Sequence, residues 1–209
     1  MQNFKALIFD IGNVILEIDY TIPLQEFQKL AKVDYTEIMA YNRQHRIFDL
    51  FETGKISEAE FHNHLKGLLK EGVTDQEIIR AWNSILVAYP PEKFELLERL
   101  KKSNRVLALS NINITHVTEM DRVSRERLGS LAFSDFFHRA YYSHEVGYRK
   151  PDIAFYKHVL EQENLKPEEA FFVDDLPENV EAAKSIGMNA HQLHHPRKLK
   201  ELLEELKII

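Results

Sequence analysis

The sequence contains no cysteine among its 209 residues. Disulfide bonds, thiolate catalysis and thiolate-ligated zinc or iron–sulfur sites are therefore excluded, and any bound metal must use oxygen or imidazole ligands. Oxygen ligands suit hard cations, of which Mg²⁺ is the one we expect.

Long apolar runs and flexible tracts are also missing. No apolar stretch approaches the roughly 18 residues of a membrane span, and the apolar start MQNFKALIFD is interrupted at Asp10 too soon for a signal peptide. Glycine and proline number only seven each, and there is no Ser/Gly-rich linker and no repeat of fixed period. We therefore expect a cytoplasmic protein that is structured nearly from end to end.

Positive charge is in short supply as well. The 27 Lys and Arg residues face 33 Asp and Glu residues, for a formal net charge of −6. The basic residues occur as scattered pairs such as Lys101-Lys102 rather than as a block, so we expect neither a nucleic-acid nor a membrane partner. Hydrophobic residues make up 44% of the chain, which is enough to fill a real core.

Short apolar runs indicate buried parallel strands. The segment FKALIFDI (4–11) is almost continuously apolar and delivers Asp10 at its end. Similar runs follow in RVLALSN (105–111), RAYYSHEV (139–146), EAFFVDD (169–175) and NAHQL (189–193). Stretches with helical spacing separate them, which predicts right-handed βαβ units. The expected fold is a Rossmann-like α/β core, with one parallel sheet and helices on both faces.

A helical insertion is predicted after the first strand. Apolar residues recur there at spacings of three and four, as at Phe61, Leu65, Leu68 and Leu69. Capping-box pairs, Ser57 with Glu60 and Thr74 with Glu77, mark two helix starts, and Pro90-Pro91 closes the insertion. We therefore expect a small helical cap at residues 17–90 and a core formed by residues 1–16 and 91–209.

Polar residues stand where the predicted strands end. In an open parallel sheet, ligands bind beyond the carboxyl ends of the strands, where loops and helix N-termini meet. The first, second and fourth strands end in Asp10, in Ser110-Asn111 and in Asp174-Asp175, and Arg149-Lys150-Pro151 follows the third. The pattern predicts a carboxylate site for a cation beside a hydroxyl and an ammonium for an anion.

Four segments resemble the haloacid dehalogenase-like hydrolases, and they occur in the family's order. They are FDIGNVI (9–15), LALSN (107–111), GYRKPD (147–152) and FFVDDLPENVEAAKSIG (171–187). Within the family, the F-D-x-G-N-V motif and the cap segment ETGKISEAEF (52–61) are similar to those of bacterial sugar-phosphate phosphatases of the glucose-1-phosphate type.

The resemblance implies a role for each strand-end residue. Asp10 is the expected nucleophile, which forms an aspartyl-phosphate and so divides one difficult transfer into two easier steps. Mg²⁺ would be bound by the carboxylates of Asp10, Asp174 and Asp175 and by the backbone carbonyl of Gly12.

Four further residues are implied to bind the phosphoryl group or to support the acidic loop. Ser110 and the amide of Asn111 would hydrogen-bond the phosphoryl oxygens, and Lys150 would pair with both the phosphoryl group and Asp10. Asn179, on the helix after Asp175, would support the acidic loop.

Gly12 departs from the family pattern. Phosphatases of the family usually carry a second aspartate at this position as general acid and base, a role worth on the order of 10²–10⁴-fold in rate. Dehalogenating relatives lack it too, but Asp174-Asp175 is a metal-site pattern that dehalogenation does not need. The expected function is hydrolysis of a small phosphate ester, a sugar phosphate first. The alternatives are a catalytically weak metabolite- or protein-binding member and a 2-haloacid dehalogenase.

Other polar residues allow only ordinary interpretations. His62 and His64 lie two apart on a predicted helix and so point to different faces, which favours surface positions over a shared metal ion. Five residues of the cap could touch a leaving group, although a solvated helical face is the simpler interpretation: Tyr41, Arg43, His45, Arg46 and Phe48.

Overall fold

A five-stranded parallel sheet forms the centre of the computed structural model, which describes residues 4–34, 37–38, 42 and 45–209. The strands in chain order are β1 (Ala6–Phe9), β2 (Glu17–Ile18), β3 (Leu86–Ala88), β4 (Arg105–Ser110), β5 (Arg139–Tyr142), β6 (Ala170–Asp174) and β7 (Asn189–Gln192). The central sheet has the order β5-β4-β1-β6-β7, and each neighbouring pair is parallel. The predicted Rossmann-like α/β fold is confirmed.

Helices cover both faces of this sheet. In chain order the α-helices of the described residues are α1 (Thr21–Leu30), α2 (Ile47–Glu52), α3 (Glu58–Lys66), α4 (Asp75–Asn83), α5 (Pro91–Lys101), α6 (Ile114–Val123), α7 (Ser143–Val146), α8 (Ile153–Gln162), α9 (Pro177–Ser185) and α10 (Leu199–Glu205). Alternate residues of a strand face opposite sides. Phe9 accordingly packs with Leu97 of α5, whereas Ile8 packs with Phe155 of α8.

Helices α1 to α4 enclose a hydrophobic cluster of their own. Phe51 and Phe61 stack in its centre with their ring centroids 4.3 Å apart. Both predicted capping boxes are present, at Ser57 and at Thr74, and they begin α3 and α4. We refer to residues 21–83 as the helical segment.

Two short strands were not expected in the predicted insertion. β2 and β3 pair antiparallel beside the helical segment, and the amide of Asp19 donates to the carbonyl of Ile85 over 3.1 Å. The predicted helical insertion at residues 17–90 therefore has a short strand near each end, in addition to its helices. A two-residue and a three-residue strand carry too few residues for a periodic signal.

Two further sequence predictions need correction. The run 139–146 is a strand only to Tyr142, because Ser143 begins the short helix α7. His62 is buried rather than on the surface, with its Nδ1 atom 3.4 Å from the Asp75 carboxylate. Tyr41 and Arg43 lie outside the described residues. Across the described part of the chain, no helix has the length and apolar character needed to cross a membrane.

Candidate active site

Three carboxylates converge at the carboxyl ends of β1 and β6. The two strands are neighbours, and the amide of Asp10 donates to the carbonyl of Val173 over 2.9 Å, so Asp10 lies beside Asp174 and Asp175. Ligand oxygens of the three aspartates lie within 4.8 Å of one another. Asp174 is completely buried and Asp10 is 8% exposed. This is a concentration of negative charge that needs cationic compensation.

Lys150 supplies part of that compensation. Its side chain is buried, and its Nζ atom lies 2.8 Å from Asp10 Oδ1 and 2.6 Å from Asp174 Oδ2. One ammonium against three carboxylates leaves a net negative charge. The donor set consists of hard oxygen atoms, so it fits a divalent cation such as Mg²⁺.

For both Asp10 and Lys150, burial and the charge of the partner shift the pKa in opposite directions. Burial raises the pKa of Asp10 to about 7, against the lowering effect of Lys150 and with a further rise from Asp174. Burial alone would lower the pKa of Lys150, but Asp10 and Asp174 raise it overall. Lys150 therefore stays an ammonium, while Asp10 can be protonated near neutral pH unless a metal is bound.

Asn111 connects the end of β4 to the lysine. Its Oδ1 atom accepts the Lys150 amide at 2.7 Å, and its Nδ2 atom donates to the Lys150 carbonyl at 2.8 Å. Ser110, the last residue of β4, is 4% exposed at the same edge of the sheet. The positions predicted from sequence are thus brought together, and the side chain of Asn111 has a positioning contact that its sequence motif did not indicate.

Two asparagines hold the acidic loop. Asn179 Nδ2 donates to Asp174 Oδ1 over 2.9 Å, as expected of a residue that supports this loop. Asn13 Nδ2 donates to Asp175 Oδ2 over 3.2 Å, and sequence reasoning missed it. Its backbone φ of 52° is a left-handed conformation that asparagine tolerates better than most residues. Its place beside Gly12 in the first motif was the available signal.

Ile18 occupies the space beside Gly12. A Cβ atom built on Gly12 would lie 2.7 Å from Ile18 Cδ1, closer than such atoms approach in proteins. An acidic side chain at position 12 therefore requires the end of the Ile18 side chain to move. Next to Gly12, the space for such a side chain is occupied by the hydrocarbon end of Ile18.

Arg149 and Ser143 join the site to the helical segment. Arg149 pairs with Asp49 through Nη1 and with Glu52 through Nη2, the latter at 3.0 Å. The hydroxyl of Ser143 donates to the Glu52 carbonyl at 2.5 Å and accepts the Ile112 amide at 2.8 Å. These partners are 31 to 100 residues apart in the chain, so no local pattern could have indicated the contacts.

A parallel α/β sheet that carries three clustered carboxylates and a buried lysine at its carboxyl edge has the features of a hydrolase site. The family model described as haloacid dehalogenase-like hydrolase matches residues 7–193. The chain belongs to that family, as its four motifs predicted.

Known proteins similar to the chain act on different phosphate esters. A D-ribitol-5-phosphate phosphatase from Bacteroides thetaiotaomicron is 28% identical, with 98% of each chain covered. A sesquiterpene phosphatase from Aspergillus oryzae is also 28% identical, over 88% of this chain and 87% of the relative. A HAD-family enzyme from B. thetaiotaomicron, solved in complex with magnesium and inorganic phosphate, superposes with a TM-score of 0.80 at 30% identity and covers 90% of this chain and 93% of its own.

Proposed function

We propose that this protein is a Mg²⁺-dependent phosphatase that hydrolyses small organic phosphate monoesters through an aspartyl-phosphate on Asp10. The observation that carries the proposal is the placement of Asp10, which lies 2.8 Å from the Lys150 ammonium and shares a cluster with Asp174 and Asp175. The solved relative with bound magnesium and phosphate supports the same chemistry.

Mg²⁺ would be bound by the carboxylates of Asp10, Asp174 and Asp175, with the Gly12 carbonyl as a further ligand. When bound, the metal neutralises charge between the phosphoryl group and the attacking carboxylate. The cluster suits this role because Lys150 offsets only one of its three negative charges.

The chain's own residues divide the reaction into two displacements. A carboxylate oxygen of Asp10 attacks phosphorus, and the bond from phosphorus to the ester oxygen breaks. Water then attacks the aspartyl-phosphate, which releases inorganic phosphate and restores the carboxylate. Ser110, the Asn111 amide and Lys150 would hold the phosphoryl oxygens as charge develops on them. Gly12 provides no proton for the leaving alcohol, so a slow first step is expected.

The helical segment would serve as a cap over the leaving group. We keep the division into a core of residues 1–16 and 91–209 and a cap of residues 17–90. The separate hydrophobic cluster of α1 to α4 supports this division. Contacts of Arg149 and Ser143 with Glu52 support this role, because they join the helical segment to the loop that carries Lys150. Such a cap would exclude water from the reacting group.

The identity of the organic group of the substrate is a separate proposal. The first sequence motif favours a sugar phosphate, and the similarity to a D-ribitol-5-phosphate phosphatase supports that choice. The name of the sesquiterpene phosphatase, by contrast, indicates a substrate with an apolar organic group. Phosphate monoesters are the class on which these relatives agree.

The test is release of phosphate from p-nitrophenyl phosphate with Mg²⁺, with EDTA, and in the variant Asp10→Asn. We expect activity only in the wild-type protein with the metal. Asp75→Asn, the same change at an exposed residue of α4, should behave as wild type. Full activity of Asp10→Asn would refute the proposal. Metabolite binding without any turnover would favour the weakly catalytic alternative, and halide release from 2-haloacids without Mg²⁺ would favour dehalogenation.

A further inference from the structure

An apolar cavity lies under the helical segment. Its volume is about 270 Å³, and most of its lining consists of hydrocarbon and aromatic side chains: Leu24, Phe27, Ile38, Phe48, Trp82 and Ile85. A cavity of this size has room for roughly nine groups as large as a water molecule. Lined this way, it is suited to a small organic group rather than to a chain of ordered water molecules.

Four of the described lining residues carry a polar side-chain group: Tyr20, Glu52, Trp82 and His116. Trp82 Nε1 and Glu52 Oε2 are buried without a hydrogen-bond partner among the described residues. Glu52 pairs with Arg149 at 3.0 Å. His116 Nδ1 lies 2.9 Å from Asn83 Oδ1, and its ring stacks on Trp82 with the centroids 5.5 Å apart. Burial lowers the pKa of His116 to about 3, so the imidazole is neutral at pH 7. A guest rich in hydroxyl groups would lose hydrogen bonds to water here and recover few of them.

Tyr20 and Glu52 connect this cavity to the reacting groups. Tyr20 lines the cavity and is 60% exposed overall, which places it at the cavity's mouth. Two residues before Tyr20, the Ile18 amide donates to Asn13 Oδ1 at 3.2 Å, and Asn13 donates in turn to Asp175. Burial raises the pKa of Tyr20, and the charges of Asp10 and Asp175 raise it further. Glu52 contacts Ser143, which in turn accepts the amide of Ile112 directly after Asn111.

We propose that this cavity binds the organic group of the substrate, and that the preferred substrates are phosphate monoesters of apolar alcohols or phenols. Short alkyl, aryl and prenyl groups are the chemistry that the lining accepts. The inference rests on the proposed phosphatase function and replaces the sugar group that the first motif favours. The reason is that a polyol would be desolvated against aromatic and aliphatic walls.

The first experiment compares alkyl phosphates of increasing chain length, and then an alkyl ester with a polyol ester of equal carbon number. With Mg²⁺ present, kcat/KM should rise about fourfold for each methylene from methyl to hexyl phosphate, until the cavity is full. Hexyl phosphate should exceed sorbitol 6-phosphate, its hydroxylated counterpart, by roughly a hundredfold. A flat alkyl series, or a preference for the polyol ester, would overturn the inference and leave phosphatase activity intact.

A matched pair of variants assigns the preference to the cavity. Leu24→Trp should fill the space and lower kcat/KM for hexyl phosphate about tenfold more than for methyl phosphate. Gln25→Trp places the same side chain at an exposed position of α1 and should leave both substrates unchanged. An equal loss for both esters in Leu24→Trp would count against the cavity as the binding site.

Binding can be measured without turnover, because Trp82 is the chain's one tryptophan and lines the cavity. Hexylphosphonate, which is not hydrolysed, should change the Trp82 emission, and its affinity should exceed that of methylphosphonate. If no ester is turned over but this chain-length dependence holds, the phosphatase proposal fails and the apolar subsite stands. If affinity is independent of chain length, the subsite is refuted.

Discussion

The side chain of Asn111 holds both backbone polar groups of Lys150, with hydrogen bonds of 2.7 Å to the amide and 2.8 Å to the carbonyl. The two residues are 39 positions apart in the chain. This clamp fixes the backbone from which the Lys150 side chain reaches Asp10 and Asp174. In the proposed mechanism, Asn111 would therefore act through the lysine, in addition to any contact of its amide with phosphate.

Asn111→Ala should lower kcat by roughly 10- to 100-fold, because a small displacement of the lysine is costly in a preorganised site. Loss of two partly buried hydrogen bonds should also reduce the free energy of unfolding by about 1–3 kcal/mol. Steady-state kinetics and urea denaturation measure the two effects. Asn104→Ala, which removes a side-chain amide at the end of α5, is the control and should retain full kcat. Unchanged kcat in Asn111→Ala would show that the clamp has no catalytic role.

Mg²⁺ affinity should fall as the pH falls below 7. Proton and metal compete for the Asp10 carboxylate, and burial raises the pKa of Asp10 to about 7. The carboxylate is free for the metal above that pH, whereas below it each unit of acidification should weaken binding up to about tenfold. Calorimetric titration with MgCl₂ from pH 8 to pH 5.5 measures the trend. Equal affinity at the two ends of this range would contradict it.

Gly12→Asp alone should give only part of the possible gain in rate, because the new side chain meets Ile18 Cδ1 and the end of that side chain must move. Combined with Ile18→Ala, the aspartate has space, and an acid/base group there should raise kcat by up to about 10²–10⁴-fold. Ile18→Ala by itself is the control for loosened packing and should not raise kcat. Single-turnover kinetics with p-nitrophenyl phosphate separate the two steps. If kcat does not rise in the double variant, lack of space for the aspartate side chain at position 12 is not what limits the rate.

Arg149→Met should destabilise the protein by about 1–3 kcal/mol, because it leaves the Glu52 carboxylate half-buried without its counter-ion. Burial raises the pKa of Glu52 and Arg149 opposes the rise, so the carboxylate depends on this partner. Adding Glu52→Gln should recover most of the loss in a double-mutant cycle. Lys184→Met breaks the exposed pair with Glu181 and should change the unfolding midpoint very little. Additive effects of Arg149→Met and Glu52→Gln would exclude coupling.

The amino-acid sequence alone was enough to predict the parallel sheet, the starts of α3 and α4, and the residues at the strand ends. These features follow from local rules: apolar runs make buried strands, capping boxes start helices, and parallel strands place their carboxyl ends at one edge. Asp10, Lys150 and Asp174 meet for that reason.

The surroundings of these three residues depend on tertiary packing and could not be predicted from the sequence. Ile18 fills the space at Gly12, Ser143 bridges Ile112 and Glu52, and α1, α2 and α4 enclose an apolar cavity. None of these contacts leaves a periodic mark in the sequence. They arise because side chains far apart in the chain pack against one another. Such packing depends on the shapes of the side chains and not on their spacing in the sequence.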